Sequence, residues 1–327
     1  MEWYWILVIV LAVVGLAVCL GVGLGVKKNG NNGGGGKSFQ PFPDYDSPCF
    51  KESADAGIPI EDQDAVSGHP ASIQIVNSSK EDLWINWTCG GSLSSDVPTM
   101  WSSELDQAGI KNYMWKNDST HSMGVFKLAA GSYVVLAYIG NSVRIAALMD
   151  CKDAQFTDQE SIKENCQVGV YPQTLVEWTY TPSGTDVIDS SFVDGFTLPV
   201  RIEYLTESGK YNTILGKLTE QGCEEGKGGK IESAGKYGGC KSPCAATGRD
   251  DACCAGAYKD PETCHPGGVP VAADVLDPWC NSISNMFSID GKRLGYCYAF
   301  DDEAGSIVDH ERTNSRIKVI WCADGFT

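Results

Sequence analysis

Apolar residues recur at every second position in a series of short runs, separated by clusters of Gly, Asn, Asp and Pro. This is the pattern of strands with one buried face. The runs are Ser72–Val76, Asp82–Trp87, Gly124–Lys127, Ser132–Ile139, Val143–Leu148, Thr174–Tyr180, Phe192–Tyr204, Cys297–Phe300 and Ile317–Trp321. No long amphipathic helix is evident before residue 240. Together they predict a mainly β protein, an antiparallel sandwich or barrel. Within Thr174–Tyr180, Thr174, Val176, Trp178 and Tyr180 share one face, and Leu175, Glu177 and Thr179 share the other. Glu177 is therefore an acid at the centre of a strand, where acids are depleted. It is either a solvated outward residue or part of a cleft onto which Asp189 and Asp194 converge.

The pattern changes at both ends of this β region. From about Gly209 to Asp290 apolar runs are sparse while Gly and Cys are dense, so disulfides must supply the rigidity that a core does not. A short helix fits Lys241–Ala255. At the other end, Trp3–Val26 is an uninterrupted apolar run, long enough to cross a membrane and longer than a secretory apolar region. Residues 1–28 are read as an uncleaved signal-anchor, with a cleaved signal peptide as the alternative. Residues 29–71 then form a Gly/Pro/Asp-rich linker, and residues 72–327 the folded domain. Lys27 and Lys28 favour a cytoplasmic C-terminal part, but the cysteines and sequons outweigh them. The expected location is membrane-anchored through residues 3–26 with the C-terminal domain extracellular or lumenal, or secreted after cleavage.

Composition narrows the function. The formal net charge of −17 lacks the basic footprint that nucleic acid requires, and excludes it as a partner. The chain has 14 Cys, and sequons at Asn77, Asn86 and Asn117, which indicate an oxidising compartment and candidate glycosylation. The pairing with the shortest loops is Cys223–Cys240, Cys244–Cys253, Cys254–Cys264, Cys280–Cys297 and Cys151–Cys166; the sequence alone allows roughly a hundred pairings of the dense set. Cys49, Cys89 and Cys322 remain, an odd set from which one is expected unpaired or intermolecular, with Cys19 inside the apolar run. Zinc held by Cys240, Cys244, Cys253, Cys254, Cys264 and His265 is a rival with poor spacing. No metal or cofactor is expected.

Several segments in order resemble the thaumatin-like protein family: SIQIVN, SYVVLAYIGNSVRIAALMDC, TLVEW, DSSFVDGFTLPV, the Cys223–Cys264 run with its adjacent cysteines, YCYAFDD and the closing Ile317–Cys322. The chain departs from it at Thr197, where the family has Asn, at Ser79, where it has its first cysteine, and at Cys297, where it has serine. The resemblance implies an antiparallel β-sandwich beside a disulfide-rich loop and short-helix subdomain. It also implies an acidic cleft lined by Arg144, Glu177, Asp189, Asp194 and Asp301 or Asp302. Members bind β-1,3-glucans, some are reported to hydrolyse them weakly, and many act in antifungal defence. Glycoside cleavage needs one protonated and one ionised carboxyl across the bond, roles that Glu177 and Asp194 would take as the catalytic pair. The expectation is a polysaccharide-binding surface protein. A weak endo-β-1,3-glucanase and a non-catalytic anchored adhesion module are the alternatives.

Overall fold

The computed structural model describes residues 57–63, 69, 71–90, 96–116, 121–180, 186–206, 209–213, 220–233, 236–284, 288–289, 292–293, 295–301, 306–309 and 315–322. All lie in one compact unit, Ser47–Thr327. The apolar run 3–26 and the glycine-rich linker lie outside the described residues. Among the described residues no helix is long and apolar enough to cross a membrane.

Alternation does build the strands. They are β1 (Ser72–Asn77), β2 (Leu83–Gly90), β3 (Asn112–Lys116), β4 (Ser122–Leu128), β5 (Tyr133–Ala137), β6 (Asn141–Leu148), β7 (Leu175–Thr179), β8 (Asp186–Ser191), β9 (Gly195–Phe196), β10 (Val200–Thr206), β11 (Gly209–Thr213), β12 (Gly229–Ser233), β13 (Lys236–Lys241), the pair β14 (Ser288–Ile289) and β15 (Lys292–Arg293), then β16 (Gly295–Tyr296), β17 (Ser306–Asp309) and β18 (Arg316–Trp321). A five-stranded sheet runs β11-β10-β18-β1-β5. An eight-stranded sheet runs β16-β8-β7-β6-β2-β4-β3, with β17 on β8. A small sheet, β12-β13-β9, carries the disulfide-rich segment.

The inner faces meet on aromatic rings. Trp178 of β7 lies 5.9 Å from Tyr138, which follows β5. Trp101 lies 5.5 Å from Trp87 and 6.1 Å from Trp178, and its indole N–H donates to the carbonyl of Ala137 at 3.0 Å. Trp101 belongs to helix Asp96–Gln107, in which Val97, Trp101 and Leu105 are fully buried at i, i+4 and i+8. Glu104 of the same helix accepts the Ala137 N–H at 2.9 Å, so two helical side chains close the edge of β5.

Four expectations are corrected. The sandwich is not purely antiparallel, because β1 pairs β18 and β16 pairs β8 in parallel. Strands β1 and β18 come from opposite ends of the domain, so no tight turn has to join them. The run Phe192–Tyr204 is broken: Gly195 has φ +142°, Pro199 has no N–H for a ladder, and only Val200–Thr206 continues as a strand of the five-stranded sheet. The partner of β7 is instead β8. Residues 297–300 form bends and turns, with Phe300 at φ +68°. A helix also exists where none was expected, Asp96–Gln107, while the segment read as loops and short helices holds the 12-residue helix Ala273–Ser284, buried through Leu276, Trp279 and Ile283. Within Lys241–Ala255 only Pro243–Thr247 is α-helical, capped by Ser242.

Five disulfides join pairs of described residues: Cys151–Cys166, Cys223–Cys240, Cys244–Cys253, Cys254–Cys264 and Cys280–Cys297. Each loop constrains the unfolded chain by about 2–4 kcal/mol. They consume the thiolates that the zinc alternative needed. Cys322 is disulfide-bonded as well. Cys89 is a fully buried thiol whose Sγ lies 3.6 Å from the carbonyl of Gly90, out of reach of a second chain.

Burial also overturns two of the sequons. Asn77 is fully buried, and its amide donates to the carbonyls of Glu81, Leu128 and Ala129 at 2.8, 3.0 and 3.1 Å. Its Oδ1 accepts from the backbone N–H of Ser79 at 3.0 Å and from the Ser79 hydroxyl. Asn86 is 5% exposed, between Val125 and Ala146. Neither side chain has room for a glycan, and Asn117 lies outside the described residues. Glycopeptide mapping of the folded chain, expressed through a secretory pathway, is expected to find Asn77 and Asn86 bare. A glycan on either in a natively melting sample contradicts this packing.

Candidate functional site

The register of the eight-stranded sheet places one polar row on its outer face. Thr88 of β2 lies opposite Arg144 of β6, Arg144 opposite Glu177 of β7, and Glu177 opposite Asp189 of β8. The neighbours in sequence force this orientation. Val143 and Ile145, Val176 and Trp178, and Ile188 and Ser190 are buried inward, leaving Arg144, Glu177 and Asp189 half-buried on the opposite face. The Arg144 Nε donates to the Thr88 hydroxyl at 2.8 Å, which directs the guanidinium along the row.

Asp194 joins from outside the ladder. Phe192 and Phe196 are both fully buried, with stacked rings 6.2 Å apart, and they pin the two ends of the turn that leaves Asp194 half-buried. The backbone is held as well: the carbonyl of Asp194 accepts the N–H of Ser242 at 3.0 Å. The next residue has to be glycine. A Cβ at Gly195 would lie 2.2 Å from the carbonyl oxygen of Cys240, at a φ of +142°. Thr197 then closes the turn, exchanging reciprocal bonds with Thr174: N–H to Oγ1 at 3.2 Å one way and 2.9 Å the other. That pair anchors the turn at the position where the chain departs from the family's Asn.

The electrostatics are unbalanced. Burial pushes the Glu177 carboxyl above its ordinary value, opposed by Arg144 and by a hydrogen bond with Ser191. Burial likewise pushes Asp194 up to about 6, with Arg144 opposing and the charge of Glu177 adding to the rise. One guanidinium thus faces Glu177 and Asp194, with Asp189 next in the row. Such a set can hydrogen-bond several hydroxyls and can give up or take a proton near neutrality.

Asp301 is used differently. It is 5% exposed, and its Oδ2 accepts the backbone N–H of Cys297 at 3.1 Å, so it holds the turn at the Cys280–Cys297 bridge rather than offering an open carboxylate. Asp302 lies outside the described residues. The grouping of Cys280, Cys297 and Asp301 offers no metal thiolate, since its cysteines are bonded to each other. Sequence reasoning missed Thr88 and Ser191. Thr88 follows the alternation, but the expected strand stops at Trp87, three residues short of the end of β2 at Gly90.

Residues 99–323 match the Thaumatin family, and the chain belongs to it. It is similar to "Thaumatin-like protein 1" of Pyrus pyrifolia, 34% identical over 146 residues, 41% of this chain and 50% of that relative. Matches to thaumatin-like relatives of this kind span about half of their length. It is also similar to a glucan endo-1,3-beta-glucosidase of Prunus avium, 24% identical over 246 residues, 73% of this chain and 85% of that relative. Among solved structures, it resembles a GH family 64 laminaripentaose-producing beta-1,3-glucanase from Paenibacillus barengoltzii with a TM-score of 0.46 and 13% identity, covering 81% of this chain and 78% of that one.

The raised carboxyls carry a pH signature. In the folded state Asp194 binds a proton more tightly than in the unfolded chain, so folding loses stability as pH rises from the ordinary carboxylate range through about 6. Glu177 acts in the same direction. Asp194→Asn removes one of these costs. The variant is expected to melt several degrees higher than the wild type above pH 6, with the gap closing towards pH 4. A gap independent of pH, read from melts of both proteins across that range, would contradict the assignment.

Proposed function

We propose that this protein binds β-1,3-glucan, or a related wall polysaccharide, through the row Thr88–Arg144–Glu177–Asp189 together with Asp194. The observation that carries this reading is the imbalance of the cluster. Glu177, Asp189 and Asp194 sit half-open around a single arginine, and burial holds two of these acids above their ordinary values. A cluster kept only for stability is better served by matched charges; perturbed acids on an accessible face mark binding or catalysis. The family supports it, as does the likeness to a glucan endo-1,3-beta-glucosidase of Prunus avium. A wall-glucan ligand also suits a defence role.

A second reading, a weak endo-β-1,3-glucanase, is favoured by Asp194 titrating at about 6 beside a raised Glu177. In it Glu177 donates a proton to the leaving oxygen, and ionised Asp194 serves as base or nucleophile while Arg144 keeps it charged. Buried Cys89 offers no chain-joining thiol to the adhesion reading, which would then rest on Cys19 or Cys49, both outside the described residues.

The expected result is retention on insoluble β-1,3-glucan, weakened at least about tenfold by Glu177→Ala or Asp194→Ala. No retention by the folded wild type at any pH between 4 and 8 rejects the binding reading. Release of reducing ends from soluble β-1,3-glucan, abolished by Glu177→Gln while retention persists, selects the enzyme reading over binding alone.

We further propose that the domain works outside the cytosol, tethered by residues 3–26. Five disulfides in one domain support an oxidising compartment. Terminal sequencing of the mature protein distinguishes the two forms: an intact start means an anchor, and a start beyond residue 26 means cleavage and secretion.

A further inference from the structure

Near the turn that carries Asp194 lies a cavity of about 350 Å³ that the reading above does not use. One wall is the segment between helix Gln159–Asn165 and β7, with Gln167 and Tyr171; the other is the β12–β13 hairpin, with Ile231 and Glu232. Thr197, which ends the Asp194 turn, joins the two walls. The volume lies at the lower end of the ~300–1,000 Å³ typical of small-ligand sites, which suits a single ring-sized group.

The lining has the chemistry of a sugar contact. Tyr171 is 50% exposed, one of the few large side chains that the described fold leaves so open. An aromatic face covers the apolar C–H side of a pyranose, and the amide of Gln167 and the carboxylate of Glu232 can exchange hydrogen bonds with its hydroxyls. Glu232 pairs with Lys230 at 3.0 Å, an ammonium it shares with Glu220, so one cation is already present at the rim of the cavity. Its distance from the acids is also suitable. Thr197 follows Asp194 by three residues, at most about 10 Å of extended chain, which a short stretch of polysaccharide spans.

We propose that this cavity is an accessory subsite for a neutral pyranose unit, belonging to the same polysaccharide chain that lies on the acidic row. The subsite rests on the glucan-binding reading and extends it: it makes affinity depend on chain length. Tyr171 supplies the stacking face, and Gln167 and Glu232 orient the hydroxyls.

The test is calorimetric titration of the folded full chain with β-1,3-linked glucose oligomers of increasing length. For the wild type, affinity is expected to rise in a step when the oligomer becomes long enough to reach the cavity. Tyr171→Ala is expected to remove that step, a loss of about tenfold for long oligomers, and to leave the shortest binding oligomer unaffected. Tyr171→Phe, which keeps the ring, retains the step. An unchanged length dependence in Tyr171→Ala overturns the subsite while leaving the glucan reading in place, and so does an equal loss at every length. A wild type that binds no oligomer of any length overturns the glucan reading and the subsite with it.

Discussion

The backbone of Gly195 passes so close to Cys240 that no other side chain fits: a Cβ there would stand 2.2 Å from the Cys240 carbonyl oxygen. The placement of Asp194 beside the acidic row depends on this approach. It allows β9 to pair with β13, and β13 carries the Cys240 end of the Cys223–Cys240 disulfide. Gly228 makes the same concession from the other side, where a Cβ would lie 2.3 Å from the Cys240 sulfur. Through this seam the disulfide-rich segment, which has little apolar core of its own, is joined to the edge of the acid-bearing region. Asp194 sits one residue before the contact, so its position is set by the backbone on one side and by Phe192 and Phe196 on the other. A carboxylate held in this way needs no counter-charge to stay in place, which frees it to be poorly compensated.

That freedom explains how the cluster tolerates its own electrostatics. Carboxylates brought together with one guanidinium repel one another, and desolvation adds to the cost. The fold absorbs this because the scaffold beneath is strong: a face of buried Val, Ile and Trp lies directly under the row, and the aromatic cluster of Trp87, Trp101 and Trp178 ties the sheets together. Proteins concentrate such local penalties where a ligand will relieve them. A sugar hydroxyl can donate to the carboxylates while removing little of their charge, which fits a chain whose net charge of −17 already disfavours anionic ligands.

Much of the row was legible in the sequence, and the reason is periodicity. Between two inward residues as decisive as Val176 and Trp178, Glu177 has one direction to point, and the same holds for Arg144 between Val143 and Ile145. What alternation cannot supply is the pairing of distant segments. The parallel contact of β1 with β18 joins the two ends of the domain, and nothing local to either strand announces it. The break at Gly195 was hidden because Phe192, Phe196, Leu198 and Val200 read as one apolar strand; the close approach that bends it comes from Cys240, far along the chain. Helix Asp96–Gln107 was legible from Val97, Trp101 and Leu105, but Pro98 and a polar face obscured it. Sequons mislead for a related reason: the motif records a possible modification, while burial of Asn77 and Asn86 is settled by tertiary contacts.

The two outer sheet faces provide a comparison within one molecule. On the five-stranded sheet a second polar row crosses the strands, Gln74 beside Lys318 beside Glu203. Arg201 pairs with Glu203 at 2.8 Å, and Lys318 and Glu203 are 1% and 5% exposed. This row is roofed: the backbone of Ile58 exchanges hydrogen bonds with the Gln74 amide at 3.2 and 3.3 Å, and Gln63 bonds Ser72 at 2.7 Å. Part of the segment read as a lead-in is therefore built into the domain as a cover. Glu203 lies between two cations there, Arg201 and Lys318, almost wholly out of water. On the eight-stranded sheet the same geometry of cross-strand polar neighbours stays half-open, with acids in excess of the one arginine. A roofed row in which cations cover the acid suits a structural role, and an open, acid-rich row is what the proposed binding role requires.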